Sequence, residues 1–107
     1  MPPLEPRDHR ISLAEAAEHT RRHRETIHGK PREADHAGAF HGDQVMAILK
    51  QKECIGLRIY HGRNEKGNRS LVLVGVDLKG NDMTKGLICE VCYGCPPFCS
   101  NTNELTG

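Results

Sequence analysis

The chain has 107 residues, of which 36% are apolar, and its aromatic residues are two Phe and two Tyr with no Trp. This length fits one domain with a small core. The formal net charge of +1 argues against a protein whose main task is to neutralise nucleic-acid phosphates or to coat an anionic membrane.

From the sequence we expect neither a membrane span nor an export signal. Its apolar runs are all shorter than the roughly 18 residues that a membrane-crossing helix needs. The first residues are charged and rich in Pro, without the apolar stretch of a signal peptide. We therefore expect a cytoplasmic protein. In that compartment clustered cysteines are more often metal ligands or redox groups than structural disulfides.

A helix is predicted after a flexible N-terminal arm over residues 1–10. Ser12 and Glu15 have the spacing of a capping box, which places the start of the helix at this point. Its apolar residues recur at helical spacing in a narrow stripe, and Gly29 marks its end. One face of this helix is therefore expected to be exposed to solvent.

A second helix is predicted after a polar loop over residues 28–42. Asp43 is the expected N-cap, and Val45, Ile48 and Leu49 form the buried stripe of the helix. The helix should end near Glu53, because a glycine and β-branched residues follow.

The remaining apolar pattern predicts three strands. Ile55, Leu57 and Ile59 alternate with other residues, as on one face of a half-buried strand. Residues 71–76 are apolar on both faces, which is typical of a central strand covered on both sides. After a tight turn, a third strand is expected over residues 83–91.

The predicted fold class is therefore α+β, with two N-terminal helices followed by a three-stranded antiparallel meander. This single domain is expected to occupy residues 11–100, with a flexible tail over residues 101–107. Because one short chain supplies few elements to cover both faces of the central strand, a homodimer is expected as well.

Several segments together resemble a family of small uncharacterised bacterial proteins. The segments are Ile11-Ser12-Leu13, Gly56-Leu57-Arg58-Ile59-Tyr60, Leu73-Val74-Gly75-Val76-Asp77, Gly80-Asn81-Asp82 and Cys95-Pro96-Pro97-Phe98-Cys99-Ser100. The resemblance implies that the last of these segments belongs to the family pattern, whereas Cys89 and Cys92 are additions. It implies no activity.

The strongest site motif is the C-terminal cysteine run, which comprises Cys89, Cys92, Cys95 and Cys99. Its spacing matches the run that binds iron–sulfur clusters in bacterial ferredoxins, but no second run accompanies it. The fifth thiol, Cys54, is expected at the other end of the meander, roughly 20 to 25 Å away. We therefore expect Cys54 to be a buried structural thiol.

Zinc is the metal that this run favours. A tetrahedral zinc could be held by the four cysteines, or by three of them with His61, which is expected at the end of the first strand where the cysteines emerge. An iron–sulfur cluster, a disulfide between Cys95 and Cys99, or simply reactive thiols are the alternatives. The motif alone does not choose between them.

Other polar groups give weaker predictions. Glu15, His19 and His23 share one helix ridge, but the arginines between the histidines would repel a metal ion. The basic stretch over residues 21–32 lacks interleaved aromatic residues, so nucleic acid is not expected as a partner. Both features are interpreted as a solvated helix face.

The sequence therefore predicts a non-enzymatic binding or regulatory module with a zinc site, and the alternative is a thiol-based redox or iron–sulfur protein. No phosphate-binding loop, nucleophile elbow or dinucleotide fingerprint is present. The expected partner is another protein or a small molecule, and not a membrane.

Overall fold

The computed structural model describes residues 2–29, 37–90, 92–95 and 97–106. Within these residues the chain forms two helices and two antiparallel sheets, one of three strands and one of two. The predicted α+β class and the three-stranded sheet after the helices are therefore confirmed. The two-stranded sheet was not predicted. Neither helix has the length and apolarity needed to cross a membrane.

Helix α1 (Leu13–Ile27) begins where the capping box places it. The Ser12 hydroxyl accepts a hydrogen bond from the Glu15 backbone N–H at 3.0 Å and donates one to the Glu15 carboxylate at 3.1 Å. Ile27 is the buried residue of the helix, and Gly29 follows with a left-handed φ of 75°. Most of α1 faces solvent, as expected from its narrow apolar stripe.

Helix α2 (Gly42–Leu49) has a different N-cap from the predicted one. His41 occupies the cap, and its Nδ1 accepts a hydrogen bond from the Asp43 backbone N–H at 3.2 Å. Asp43 lies within the first turn instead, where a carboxylate is favoured by the helix dipole. The helix also ends at Leu49, earlier than Glu53. Ile48 is completely buried, as predicted, but Leu49, which was predicted to be buried with it, is 43% exposed.

The main sheet has the strand order β2-β3-β4 and consists of β2 (Gly56–Arg63), β3 (Arg69–Val76) and β4 (Ile88–Cys89). Strands β2 and β3 form a continuous antiparallel hairpin. Central strand β3 holds much of the buried core, with Leu73, Val74 and Val76 at 3% exposure or less. The prediction that residues 71–76 form a central strand is confirmed.

Strand β4 is much shorter than the predicted third strand. Asp82 forms a bridge with Val76, and the chain then makes a turn closed by a hydrogen bond from Gly86 N–H to the Met83 carbonyl. An uninterrupted strand in that register would place Cys89 opposite Arg69. The turn leaves Cys89 opposite Leu73 instead. The predicted end of this strand, residue 91, lies outside the described residues.

The second sheet joins β1 (Ala37–Ala39) to β5 (Tyr93–Cys95) in antiparallel register. It approaches strand β3 closely at Gly38. A Cβ at this glycine would lie 2.9 Å from Cys92 Sγ and 3.1 Å from Leu71 Cδ1. The segment before α2 was predicted to be a loop. Its alanines and glycine form a strand because β5 provides a hydrogen-bonding partner that is distant in sequence.

Three further contacts join the ends of the sheet to the rest of the chain. Leu4 of the N-terminal arm lies against Gly56, and the Pro2 carbonyl lies against Gly80. Gln51, just after α2, donates to the Ile48 carbonyl and accepts from Leu87 N–H at 2.8 Å. Gln51 therefore links the end of α2 to the segment that leads into β4.

Candidate functional site

The structure contains a disulfide between Cys95 and Cys99, one of the alternatives that the sequence left open. Their Cα atoms lie 4.8 Å apart, and the bridge closes a short turn. Two backbone hydrogen bonds shape this turn, from Phe98 N–H to the Gly94 carbonyl and from Cys99 N–H to the Pro97 carbonyl. Strand β5 ends at Cys95 and anchors the turn to β1.

The two cysteines of the disulfide differ in exposure to solvent. Cys95 is only 8% exposed, because it lies in β5 opposite Ala37 of β1. Cys99 follows the turn and is exposed. Cys99 is therefore the more accessible of the two disulfide cysteines.

The other cysteines are free thiols, and each is half-buried. Cys89 Sγ lies 3.5 Å from the Gln44 side-chain oxygen of α2. Cys92 Sγ packs between the two sheets, beside Gly38 and Leu71. Cys89 therefore lies next to α2, and Cys92 lies next to the small sheet.

Cys54 lies closer to Cys89 than the sequence predicts. Its thiol donates to the Gly56 carbonyl at 3.3 Å, and its sulfur lies 3.0 Å from the position of a Cβ at Gly75. Gly75 is two residues from Leu73, the partner of Cys89, which corresponds to about 7 Å along β3. The predicted separation of roughly 20 to 25 Å between Cys54 and the cysteine run is therefore wrong for Cys89. The reason is that the turn at residues 83–86 shortens the third strand.

His61 does not lie beside Cys89. It is on edge strand β2 opposite Leu71, whereas Cys89 is on β4, with β3 between them. Two strand spacings alone are about 10 Å, beyond the reach of one tetrahedral ion. His61 is nearer to Cys92, since both are neighbours of Leu71.

The described residues contain no group of three or more His, Cys, Asp or Glu side chains arranged to hold a metal ion. Two members of the cysteine run are joined to each other, and a sulfur in a disulfide is not a thiolate ligand. The zinc site formed by Cys89, Cys92, Cys95 and Cys99 with His61 therefore requires a reduced protein. It stays a prediction, as does the iron–sulfur alternative.

An exposed aromatic pair flanks the disulfide. The rings of Tyr93 and Phe98 meet edge to face, with centroids 4.9 Å apart and planes at 62°. Tyr93 is 53% exposed and Phe98 is 60% exposed. The sequence patterns do not predict this contact, although each aromatic residue lies within two positions of a disulfide cysteine.

A separate polar cluster lies on the opposite face of the main sheet. Arg58 donates to the Asp82 carboxylate at 2.6 Å and to the Gly80 carbonyl at 3.3 Å, and the Tyr60 hydroxyl donates to the other Asp82 oxygen. The hydrogen bond from Tyr60, supported by Arg58, lowers the pKa of Asp82. The same hydrogen bond raises the pKa of Tyr60. This cluster fastens the turn before β4 to β2.

No protein-family model matches the chain, and no match is found among curated proteins or solved structures. The resemblance to the small bacterial family stays a prediction for this reason.

Proposed function

We propose that the protein is a small redox module that exchanges electrons with partner thiols through the Cys95–Cys99 pair. The observation that carries this proposal is the disulfide in a short surface turn, with one exposed and one buried cysteine. The sequence favours a cytoplasmic location, where a permanent structural disulfide is not expected. A disulfide in that setting is more consistent with a redox-active pair.

The exchange proceeds in two steps. A partner thiolate attacks Cys99 Sγ, the bond between the two sulfurs breaks, and Cys95 leaves as a thiolate that takes up a proton. A second partner thiolate then attacks the mixed disulfide and releases Cys99 as a thiol. The partner dithiol is oxidised to a disulfide, and two electrons and two protons reach the protein.

The local backbone supports reversal of this reaction. The turn is also held by the hydrogen bond from Phe98 N–H to the Gly94 carbonyl, and Cys95 by the pairing of β5 with β1. These interactions do not depend on the sulfur–sulfur bond. They keep the thiols of Cys95 and Cys99 close together after reduction. Each thiol is therefore present at a high effective concentration near the other, which favours re-formation of the disulfide.

Counting thiols tests the proposal. With three free cysteines and one disulfide, the protein isolated without reductant should react with three equivalents of maleimide after denaturation, and with five after reduction. Equilibration in dithiothreitol redox buffers should give one reversible two-electron transition. Cys54→Ser should keep this transition, and Cys99→Ser should abolish it. Five reactive thiols before reduction, or a reduction that cannot be reversed, would contradict the proposal.

A zinc-bearing binding or regulatory module is the second candidate. It is favoured because Cys89 and Cys92 are already free thiols, and reduction would release two more from the same run. Zinc titration of the reduced protein should then give one tightly bound equivalent and a higher melting temperature, while the oxidised protein gives neither. Less than a tenth of an equivalent in the reduced protein would exclude this candidate.

A further inference from the structure

Two exposed aromatic rings lie next to the disulfide, in a segment of the sequence without charged side chains. Every residue from 92 to 103 is uncharged. Tyr93 and Phe98 are two of only four aromatic residues in the chain, and both are more than half exposed beside the bridge. We name this pair the aromatic platform.

The turn holds the platform in place. Phe98 directly precedes Cys99, and its backbone N–H bonds to the Gly94 carbonyl next to Tyr93. The disulfide closes the same turn, and the Phe98 ring lies against the Tyr93 ring. A molecule that reaches Cys99 therefore lies next to two rings that are already ordered. Little further ordering of the protein is needed to bind it.

The chemistry of this surface points to one class of thiol. Glutathione carries two carboxylates and one ammonium group, and residues 92–103 have no charged side chain that could pair with either kind of charge. An apolar side chain beside a reactive cysteine would instead cover the rings and remove apolar surface from water.

We infer that the substrate of the Cys95–Cys99 pair is a cysteine in a polypeptide segment with apolar neighbours, which the aromatic platform binds. This inference rests on the proposed thiol–disulfide exchange. In the reaction, the segment's thiolate attacks Cys99 Sγ while its neighbouring apolar side chains contact Tyr93 and Phe98. The sulfur–sulfur bond of the protein breaks, and Cys95 leaves as a thiolate and is protonated.

Two short uncharged peptides with blocked ends test this inference. One carries leucine on both sides of a single cysteine, and the other carries serine. The rate of mixed-disulfide formation with the oxidised protein is measured by mass spectrometry, and each rate is divided by that of the same peptide with oxidised glutathione. We expect the leucine peptide to react about tenfold faster than the serine peptide.

The variants then assign the preference to the platform. Tyr93→Ser/Phe98→Ser should bring the ratio of the two normalised rates close to one, and Phe98→Leu should retain most of the preference. Ile88→Ser removes an equally exposed apolar side chain on the main sheet, outside the disulfide turn, and should leave the ratio unchanged. A loss of preference in all three variants would indicate general unfolding and contradict a specific role of the rings.

The possible failures can be told apart. If dithiothreitol reduces the disulfide reversibly but the two peptides react equally with the wild-type protein, this inference fails and the proposed exchange stands. If the disulfide does not exchange at all, the proposed function fails first. If the oxidised protein is a dimer that Tyr93→Ser/Phe98→Ser dissociates, the platform is a contact between two copies, and the inference is wrong.

Discussion

Removal of the Cys95–Cys99 disulfide should cost the protein a substantial part of its stability. The two cysteines are four positions apart, so the bridge closes a loop of five residues. The chain-entropy model assigns such a loop about 7 cal/mol/K, or about 2 kcal/mol at 25 °C. For a domain of this size that corresponds to a melting temperature lower by about 8 to 16 °C.

Urea denaturation followed by circular dichroism measures this loss. The oxidised wild-type protein is compared with the variant Cys95→Ser/Cys99→Ser, both without reductant. Added dithiothreitol should destabilise the wild-type protein by a similar amount and leave the double variant unchanged. This control separates the loss of the bridge from other effects of the reductant.

The reasoning is refuted if the double variant and the reduced wild-type protein both unfold within about 0.5 kcal/mol of the oxidised protein. Such a result would mean that the turn is equally restricted without the bridge. A large loss in the double variant alone would instead point to the buried position of Cys95, which is only 8% exposed and does not readily accept a hydroxyl group.

Three other perturbations have definite expected outcomes. Gly38→Ala should destabilise the protein by about 1 to 3 kcal/mol, because its Cβ would lie 2.9 Å from Cys92 Sγ; urea denaturation of this variant and of Gly42→Ala, where nothing lies within 4 Å, gives the comparison. Ile48→Ala should cost about 2 to 5 kcal/mol, because this fully buried side chain would leave a cavity; a loss below 1 kcal/mol in thermal unfolding would contradict the packing of α2 on the sheet. The lowered pKa of Asp82 means that its contribution to stability is present above its ordinary pKa of 3.8 and is lost as the pH falls through the folded-state value. The difference in unfolding free energy between the wild-type protein and Asp82→Asn should therefore shrink below about pH 4, and a constant difference from pH 7 to pH 2 would show that the carboxylate charge is not what matters.

The local elements could be predicted where the determining interactions are close in sequence. The start of α1 follows from Ser12 and Glu15, which are three positions apart and bond to each other. Strand β3 follows from a continuous apolar run, which has to be covered on both faces. The prediction of Asp43 as the N-cap of α2 is wrong. The ring of His41, two residues earlier, accepts the capping hydrogen bond that a carboxylate was expected to accept.

The candidate site could be predicted only as a set of cysteines. Their spacing is compatible with a metal site, a cluster or a disulfide, because all three need sulfurs a few residues apart. The relative positions of His61 and Cys89 depend on the register of β4, which the turn at residues 83–86 shifts by four residues. Periodicity predicts which face a residue occupies, but it does not detect an inserted turn.

By itself, the sequence determined the α+β class, the order of the two helices before the meander, and the position of the cysteine run. These features depend on local caps and on the hydrophobic period. The tertiary structure decided which sulfurs are joined, which are free and which of them is exposed. It also decided that β1 pairs with β5 and that Tyr93 meets Phe98 beside the bridge. Such contacts arise from the folding of the whole chain, because packing and strand pairing bring together residues whose separation in sequence carries no signal of their approach.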